Sequence, residues 1–186
     1  NRDGVPLLGP VPAPRVCAAD EVSTAIAGAR IVDVRSWSEF RDGHLPGANW
    51  AMGGVGLLMT VGSYVEPDER IVLVCEEDRC DELVRALVRI GLDRIDAVIT
   101  PRTLLAWRDA GGRLETSREI DADAFLRRIE SPERDVLDVR RAIEHRAASI
   151  EGSVNVAHTR LVDRIAEVPR DTTLLVHCAG GVRSAA

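Results

Sequence analysis

Short apolar runs alternate with amphipathic stretches along the chain, and this alternation predicts strands and helices in turn. The apolar runs predict buried strands over 31–34, 71–74, 97–99, 136–139 and 173–177. The amphipathic stretches predict helices over 19–27, 81–90, 101–110, 121–129, 142–146 and 159–166, with a short helix that begins after Ser36. Strands that alternate with helices predict an α/β fold, in which a mainly parallel sheet is covered by helices on both faces.

An internal repeat organises this pattern. The strand-end motif of residues 31–35 (I-V-D-V-R) recurs as V-L-D-V-R at 136–140, and the same offset relates Glu39 to Glu144 without a gap. A second match relates the strand that ends at Cys75 to the strand that ends at Cys178. The repeat predicts two modules of about a hundred residues, a usual domain size. We place a linker at 1–14, the first copy at 15–117 and the second copy at 118–186.

The second copy is predicted to be C-terminally incomplete, because it stops soon after Cys178 whereas the first copy continues well beyond Cys75. The chain also begins with Asn1 rather than Met. We therefore expect it to be a piece of a longer protein, and the sequence leaves open whether the fragment is active alone.

Composition narrows the possible functions. Hydrophobic residues make up 45% and charged residues 29%, which is typical of a globular protein, and the net charge of −6 argues against a nucleic-acid partner. No apolar run is long enough for a membrane span. Four scattered cysteines and no visible export signal predict reduced thiols in the cytoplasm. The Cys and His spacings predict no metal site, and nothing predicts a cofactor.

The loop after Cys178 is the candidate reactive site. Its sequence C-A-G-G-V-R-S follows a buried strand directly and leads into an expected helix, so the cysteine faces successive backbone amides. These amides, the positive end of that helix and the side chain of Arg183 favour a thiolate over a thiol. The pattern predicts a nucleophilic thiol that faces an anionic group.

The D-V-R strand end, the G-H-L-P-G-A turn at 43–48 and the C-A-G-G-V-R-S loop together resemble the rhodanese (thiosulfate sulfurtransferase-like) family, in tandem copies. The resemblance implies that Cys178 takes a sulfane sulfur from thiosulfate or a persulfide, holds it as a persulfide and passes it to a thiol or cyanide. It also implies that the anionic donor is bound by residues that follow the cysteine: Ala179, Gly180, Gly181, Val182, Arg183 and Ser184.

Two other functions are weighed against sulfur transfer. Cysteine phosphatases place five residues between Cys and Arg, whereas this loop has four, a smaller ring that suits a sulfur atom better than a tetrahedral phosphate. The second alternative is a non-catalytic rhodanese-like interaction or regulatory module of a persulfide-metabolising fusion protein. The intact second loop, with both glycines, Arg183 and Ser184, favours catalysis over that alternative.

The first copy is predicted to be structural. Cys75 is followed by Glu76, Glu77 and Asp78, whose carboxylates would raise the pKa of the thiol and repel an anionic donor. We interpret Cys75 as an inert strand-end residue and Cys80 as the start of a helix. A redox pair of these two cysteines stays open as a weaker alternative.

Several other residues receive structural interpretations. Asp33, Arg35, Asp138 and Arg140 are predicted to form ion pairs that tie each strand end to the short helix, together with Glu39 and Glu144. His44 is assigned to the turn motif, His177 to packing on the opposite sheet face, and Cys17 to the core.

The chain start at 1–9, followed by a degenerate copy and an active-type copy, resembles the C-terminal part of a bacterial metallo-β-lactamase-fold/rhodanese fusion protein. The resemblance implies a preceding metallo-β-lactamase-fold domain as a partner in the parent chain, and a donor connected with sulfide oxidation.

Overall fold

The computed structural model describes residues 10–131 and 134–186. Residues 1–9 and 132–133 lie outside the described residues, and they include most of the predicted linker and the chain start on which the fusion resemblance depends.

The described strands are short, and their bounds are β1 Arg15–Val16, β2 Arg30–Asp33, β3 Asn49–Trp50, β4 Ile71–Val74, β5 Ile95–Ile99, β6 Arg134–Asp138, β7 Val154–Asn155 and β8 Thr173–His177. The α-helices are α1 Val22–Ile26, α2 Trp37–Asp42, α3 Val55–Tyr64, α4 Cys80–Val88, α5 Pro101–Asp109, α6 Ala122–Ile129, α7 Ala142–Ala147 and α8 Val182–Ala185. Single 3₁₀ turns occur at Ala19–Glu21, Glu77–Arg79, His158–Arg160 and Ile165–Glu167.

The first of two compact units comprises residues 10–35, 45–49 and 65–114. Its sheet has the strand order β1-β5-β4-β2-β3, and β4 pairs in parallel with β2 on one side and β5 on the other. Every residue of β4 is buried, as expected for a central parallel strand with a continuous apolar sequence. The core is aliphatic, as the low aromatic content predicts, and includes Cys17, Val22, Leu45, Val72 and Leu104.

The second compact unit comprises residues 36–44, 50–64, 115–131 and 134–186. Its sheet has the order β7-β6-β8, and both pairings are parallel. The register places Asp138 opposite His177, so that the carboxyl ends of β6 and β8 meet at one edge. Leu137, Val139 and Val156 form the buried cluster beneath that edge.

The predicted α/β fold, with parallel sheets flanked by helices, is confirmed. The strands at 71–74 and 173–177 have the predicted bounds, but the predicted burial of the second is wrong, because β8 lies at the edge of its sheet and only its Leu175 is buried. The short helix α2 begins after Ser36 as predicted, and Ser36 caps it, because its hydroxyl accepts from the Glu39 amide while the Glu39 carboxylate accepts from the Ser36 amide. Thr100 caps α5 by accepting a hydrogen bond from the Thr103 amide, with Pro101 at the first helical position. The module boundaries at 15–117 and 118–186 stay a prediction from the repeat.

The helix predicted over 159–166 is wrong. The segment contains the 3₁₀ turns His158–Arg160 and Ile165–Glu167, separated by a turn. Few intrahelical hydrogen bonds can form in so short a segment, so the cost of nucleating a helix is not offset. Pro169 also disfavours the α conformation at Val168, which closes the segment.

Helix α3 was not predicted, because glycines and β-branched residues weaken its helical signal. Its buried residues follow a helical spacing nonetheless: Leu57, Thr60, Val61 and Tyr64. In the second unit, the Tyr64 hydroxyl donates a 2.8 Å hydrogen bond to the backbone carbonyl of His158. No helix within the described part of the chain combines the length and the apolar character needed to cross a membrane.

Candidate active site

Cys178 lies directly after β8, at the edge of the sheet in the second unit. The residue is partly buried and packs against the cluster of Leu137, Val139 and Val156. Residues 179–182 are exposed, whereas Arg183 and Ser184 are partly buried. The sulfur therefore rests on an apolar base while the backbone of the loop is open to solvent.

The loop curls back over the sulfur. The backbone amide of Gly181 donates a 3.1 Å hydrogen bond to Cys178 Sγ. Gly181 has a φ of 86°, in the left-handed region that an L side chain rarely adopts, and it immediately precedes α8. Because α8 has four residues, the loop amides supply the polar environment of the sulfur rather than a long helix dipole.

The Ser184 hydroxyl lies close to the sulfur as well. Its oxygen is 3.6 Å from Cys178 Sγ and 2.9 Å from the carbonyl oxygen of Gly181. The hydroxyl is within hydrogen-bond distance of both acceptors, and Ser184 is therefore a second hydrogen-bond donor to the sulfur beside the Gly181 amide.

The environment of Cys178 favours the thiolate. Burial acts to raise the pKa of the thiol, but hydrogen bonds from Ser184 and from the backbone amides of Gly180, Ser184 and Arg183 lower it further than burial raises it. The pKa of Cys178 consequently lies below that of an ordinary cysteine. A lowered pKa is the property that a nucleophilic cysteine needs at neutral pH.

Arg183 forms a bidentate ion pair with Glu144, which lies on α7. Nη1 of Arg183 is 2.7 Å from Glu144 Oε2, and Nη2 is 2.9 Å from Oε1. The hydrogen bond from Arg183 lowers the pKa of the Glu144 carboxyl well below its usual range. Glu144 was predicted to act with the strand-end pair; the structure shows that it contacts the reactive loop instead.

The strand-end ion pairs are confirmed. Arg140 Nη2 is 2.6 Å from the fully buried Asp138 carboxylate, and it also donates to the carbonyl of Ala148 at the end of α7. Arg35 pairs with Asp33 in the first copy with the same 2.6 Å distance. These pairs hold the strand ends on which the loops are built.

Cys75, the counterpart of Cys178, is buried with 1% exposure. Burial raises the pKa of its thiol to about 12, with further contributions from Cys80 and from nearby carboxylates. The prediction of an unreactive thiol is thus supported, but burial contributes more than the acidic residues on which the prediction was based. Cys80 begins α4, as predicted.

His44 and His177 have packing roles in the structure. His44 is buried, its ring stacks on Phe40 at 3.9 Å, and its Nδ1 lies 2.8 Å from the Phe40 carbonyl oxygen. His177 packs edge-on against Phe125 at 5.7 Å, in agreement with its predicted packing role.

Nothing in the sequence predicts a role for His158, a buried histidine of the second unit. It is buried, its Nδ1 has no hydrogen-bond partner in the described structure, and burial followed by the charge of Arg183 lowers its pKa. No repeat match or motif marks this position. Among residues 10–131 and 134–186, no three His, Cys, Asp or Glu side chains are grouped as a metal ion would require.

The sequence profile of the rhodanese-like domain family matches the chain over residues 18–99 and 121–186. No match was found among curated proteins. Solved structures that show some similarity include a thiosulfate sulfurtransferase from Pseudomonas aeruginosa, which is 22% identical with a TM-score of 0.44 over 92% of this chain and 39% of that one. This chain therefore spans well under half of the length of that protein.

Two further solved structures show similarly distant likeness. A 3-mercaptopyruvate sulfotransferase from Escherichia coli is 17% identical, with a TM-score of 0.41 over 93% of this chain and 91% of that one. An anaerobic ergothioneine biosynthesis enzyme from Chlorobium limicola is 16% identical, with a TM-score of 0.46 over 80% of this chain and 42% of that one. The family match covers most of the chain in two segments, one for each copy of the repeat, and the chain belongs to the rhodanese-like domain family.

Proposed function

We propose that the chain is a sulfurtransferase that carries a sulfane sulfur on Cys178. The observation on which the proposal depends is the hydrogen bond from the Gly181 amide to the Cys178 sulfur, in a loop that lowers the pKa of the thiol. A thiolate at neutral pH is a strong nucleophile toward sulfur. The deeply buried Cys75 offers no comparable site.

The reaction has two halves. In the first, the Cys178 thiolate attacks the outer sulfur of the donor, a sulfur–sulfur bond forms to Cys178, and the bond within the donor breaks. Its electron pair leaves with sulfite from thiosulfate, or with a thiolate from a persulfide. In the second half, a thiol or cyanide takes the outer sulfur and Cys178 returns as a thiolate. The kinetics should be ping-pong because one group passes through the enzyme.

The residues after Cys178 would bind the donor. Ala179, Gly180 and Val182 contribute exposed backbone, and the Gly181 amide already faces the sulfur. Preorganised amides of this kind stabilise negative charge as it moves between sulfur atoms. Four residues separate Cys178 from Arg183, so this ring suits a sulfur atom better than the phosphate of a cysteine phosphatase.

The chemistry of the reaction bears on the compartment in which the protein works. The carrier must be a free thiol, and Cys178 is free in the structure, which suits the reducing cytoplasm expected from the sequence. We also retain as a proposal that a metallo-β-lactamase-fold domain precedes this chain in its parent protein and that the donor derives from sulfide oxidation.

The test is direct transfer of one sulfur atom. The chain is incubated with thiosulfate or an alkyl persulfide, and intact-mass and peptide mass spectrometry locate the added sulfur. We expect it on Cys178 in the native chain and in Cys75→Ser, and we expect none in Cys178→Ser. Release of thiocyanate on addition of cyanide reports the second half. A native chain that takes up no sulfur at Cys178 from either donor would favour the non-catalytic alternative.

A further inference from the structure

The ion pair between Glu144 and Arg183 has a chemical consequence for the donor. Both carboxylate oxygens of Glu144 accept from the two Nη groups of Arg183, at 2.7 and 2.9 Å. A bidentate pair of this geometry fixes the guanidinium plane and neutralises most of its charge at short range. The cation that the loop would offer to an anionic donor is thus already shared with a carboxylate of the same unit.

The guanidinium groups of Arg140 and Arg141 are also paired with carboxylates. Arg140 is paired with the buried Asp138 and also donates to the Ala148 carbonyl. Arg141 is largely exposed and directs its Nε at Glu144 Oε2 from 3.2 Å. Arg140, Arg141 and Arg183 therefore have carboxylate partners, and the loop amides are the donors that face the sulfur directly.

Candidate donors differ in how much charge the site must accept. Thiosulfate is a dianion, with a sulfonate group next to the sulfur that is attacked. An alkyl persulfide has one charge at most on its sulfur atoms and an alkyl group in place of the sulfonate. A dianion requires uncompensated positive charge at the site, whereas a persulfide is satisfied by a few amides and an apolar surface.

Building on the proposed sulfurtransferase function, we propose that Glu144 is a specificity-determining residue that tunes the Cys178 site toward alkyl persulfides and away from thiosulfate by holding Arg183 in an ion pair. The half-reaction is then attack of the Cys178 thiolate on the outer sulfur of R–S–SH. A sulfur–sulfur bond forms to Cys178, the R–S–SH sulfur–sulfur bond breaks, and its electron pair leaves with the thiolate R–S⁻. The outer sulfur retains its proton, so no external oxidant or reductant is needed.

The first copy contains a matched control for this residue. Glu39 occupies the corresponding repeat position and caps α2 by accepting from the Ser36 amide, as Glu144 caps α7 by accepting from the Arg141 amide. The loop of the first copy has Cys80 at the position that corresponds to Arg183 in the second. Glutamine preserves this type of cap, so Glu39→Gln and Glu144→Gln should both retain their helices.

The experiment measures the second-order rate constant for addition of one sulfur atom to Cys178 by rapid quench and mass spectrometry. The donors are thiosulfate and 2-hydroxyethyl persulfide, the latter generated from the corresponding disulfide and sulfide. We expect Glu144→Gln to raise the ratio of the thiosulfate rate to the persulfide rate by about tenfold, the size of effect that one unit charge gives at a partly exposed site. The gain should shrink at high salt, and Glu39→Gln should leave the ratio unchanged.

The possible results separate the two proposals. If Glu144→Gln changes both rates by the same factor, the residue only positions the loop and the donor preference is wrong, while the sulfurtransferase function stands. A ratio that rises equally in Glu39→Gln would also overturn the assignment to Glu144. If the native chain gains no sulfur on Cys178 from either donor, the sulfurtransferase function fails, and the donor preference fails with it.

Discussion

The backbone amide of Gly181 donates a 3.1 Å hydrogen bond to the sulfur of Cys178, three residues earlier in the chain. This contact turns the loop into a short ring whose amides face the sulfur. Burial of Cys178 disfavours its thiolate, and the hydrogen bonds of the loop outweigh that effect, so the pKa of the thiol is lowered. The reactivity of Cys178 is thus a property of the loop conformation.

Alkylation should distinguish Cys178 from Cys75. The lowered pKa of Cys178 places more of it in the thiolate form at neutral pH, whereas burial raises the pKa of Cys75 to about 12. We expect the rate of iodoacetamide addition at Cys178 to reach half of its maximum below about pH 8.5, where an ordinary cysteine is half ionised. Cys75 should stay unmodified over the same range. Peptide mass spectrometry gives both rates, and a half-maximal rate at Cys178 that lies at or above that pH would contradict the assignment.

The two loop glycines should respond differently to substitution by alanine. Gly181 has a φ of 86°, and no atom lies within 4 Å of a Cβ built there, so Gly181→Ala is strained by its backbone and not by a clash. We expect it to cost about 1 to 2 kcal/mol and to draw the amide away from the sulfur, which lowers the rate of persulfide formation about tenfold or more.

Gly180→Ala is the control for that substitution. A Cβ at Gly180 also meets no atom within 4 Å, and its φ lies outside the left-handed region. Persulfide formation should therefore remain within about twofold of the native rate, since the backbone hydrogen bonds are retained. If both variants lose the same fraction of the rate of persulfide formation, the rate does not depend on the left-handed conformation of Gly181.

Much of the fold can be predicted from the sequence because the signals are local or periodic. A buried parallel strand such as β4 appears as a continuous aliphatic run, and the caps at Ser36 and Thr100 are set by side chains next to the helices that they start. Helix α3 escaped prediction because its helical preference is weak and its stability depends on burial of one face.

The site could be predicted only in part. The position of Cys178 follows from the repeat, but the partner of Arg183 does not, because Glu144 lies 39 residues away in sequence and a tertiary contact brings the two together. The recurrence of Glu144 as Glu39 predicted one role for both residues, with the strand-end ion pairs. The ion pair of Glu144 with Arg183 is a role that follows only from the position of the loop in the folded structure.

Asp138→Asn should destabilise the chain. The Asp138 carboxylate is fully buried and accepts from Arg140, and these hydrogen bonds lower its pKa despite the opposing effect of burial. Loss of its charge leaves Arg140 without its buried partner, at a cost of about 2 to 4 kcal/mol in the free energy of unfolding. Urea denaturation monitored by circular dichroism measures this cost.

The same substitution has a predictable pH dependence. A carboxyl whose pKa is lowered on folding contributes stability above its ordinary pKa of about 4, and that stability is lost as the pH falls through the lower pKa of the folded state. The difference between the native chain and Asp138→Asn should therefore shrink in acid. Asp163→Asn, which removes an exposed pair with Arg160, should change stability by less than about 0.5 kcal/mol. A difference that grows in acid would contradict the assignment to Asp138.

His177→Phe should preserve sulfur transfer. The His177 Nε2 atom is buried, lies 3.7 Å from the Asp138 carboxylate and makes no hydrogen bond in the described structure, while the ring packs against Phe125. Burial lowers the pKa of His177, so the native chain loses stability as the pH falls below about 6.5, where the unfolded histidine takes up a proton. Phenylalanine keeps the ring contact and cannot be protonated, so this part of the acid sensitivity should disappear. We expect the rate of persulfide formation to stay within about twofold, because phenylalanine removes a contact with the Cys178 backbone but retains the Gly181 and Ser184 hydrogen bonds to the sulfur. A large loss of rate in a variant of unchanged stability, together with a shifted pH profile, would instead identify His177 as a general base.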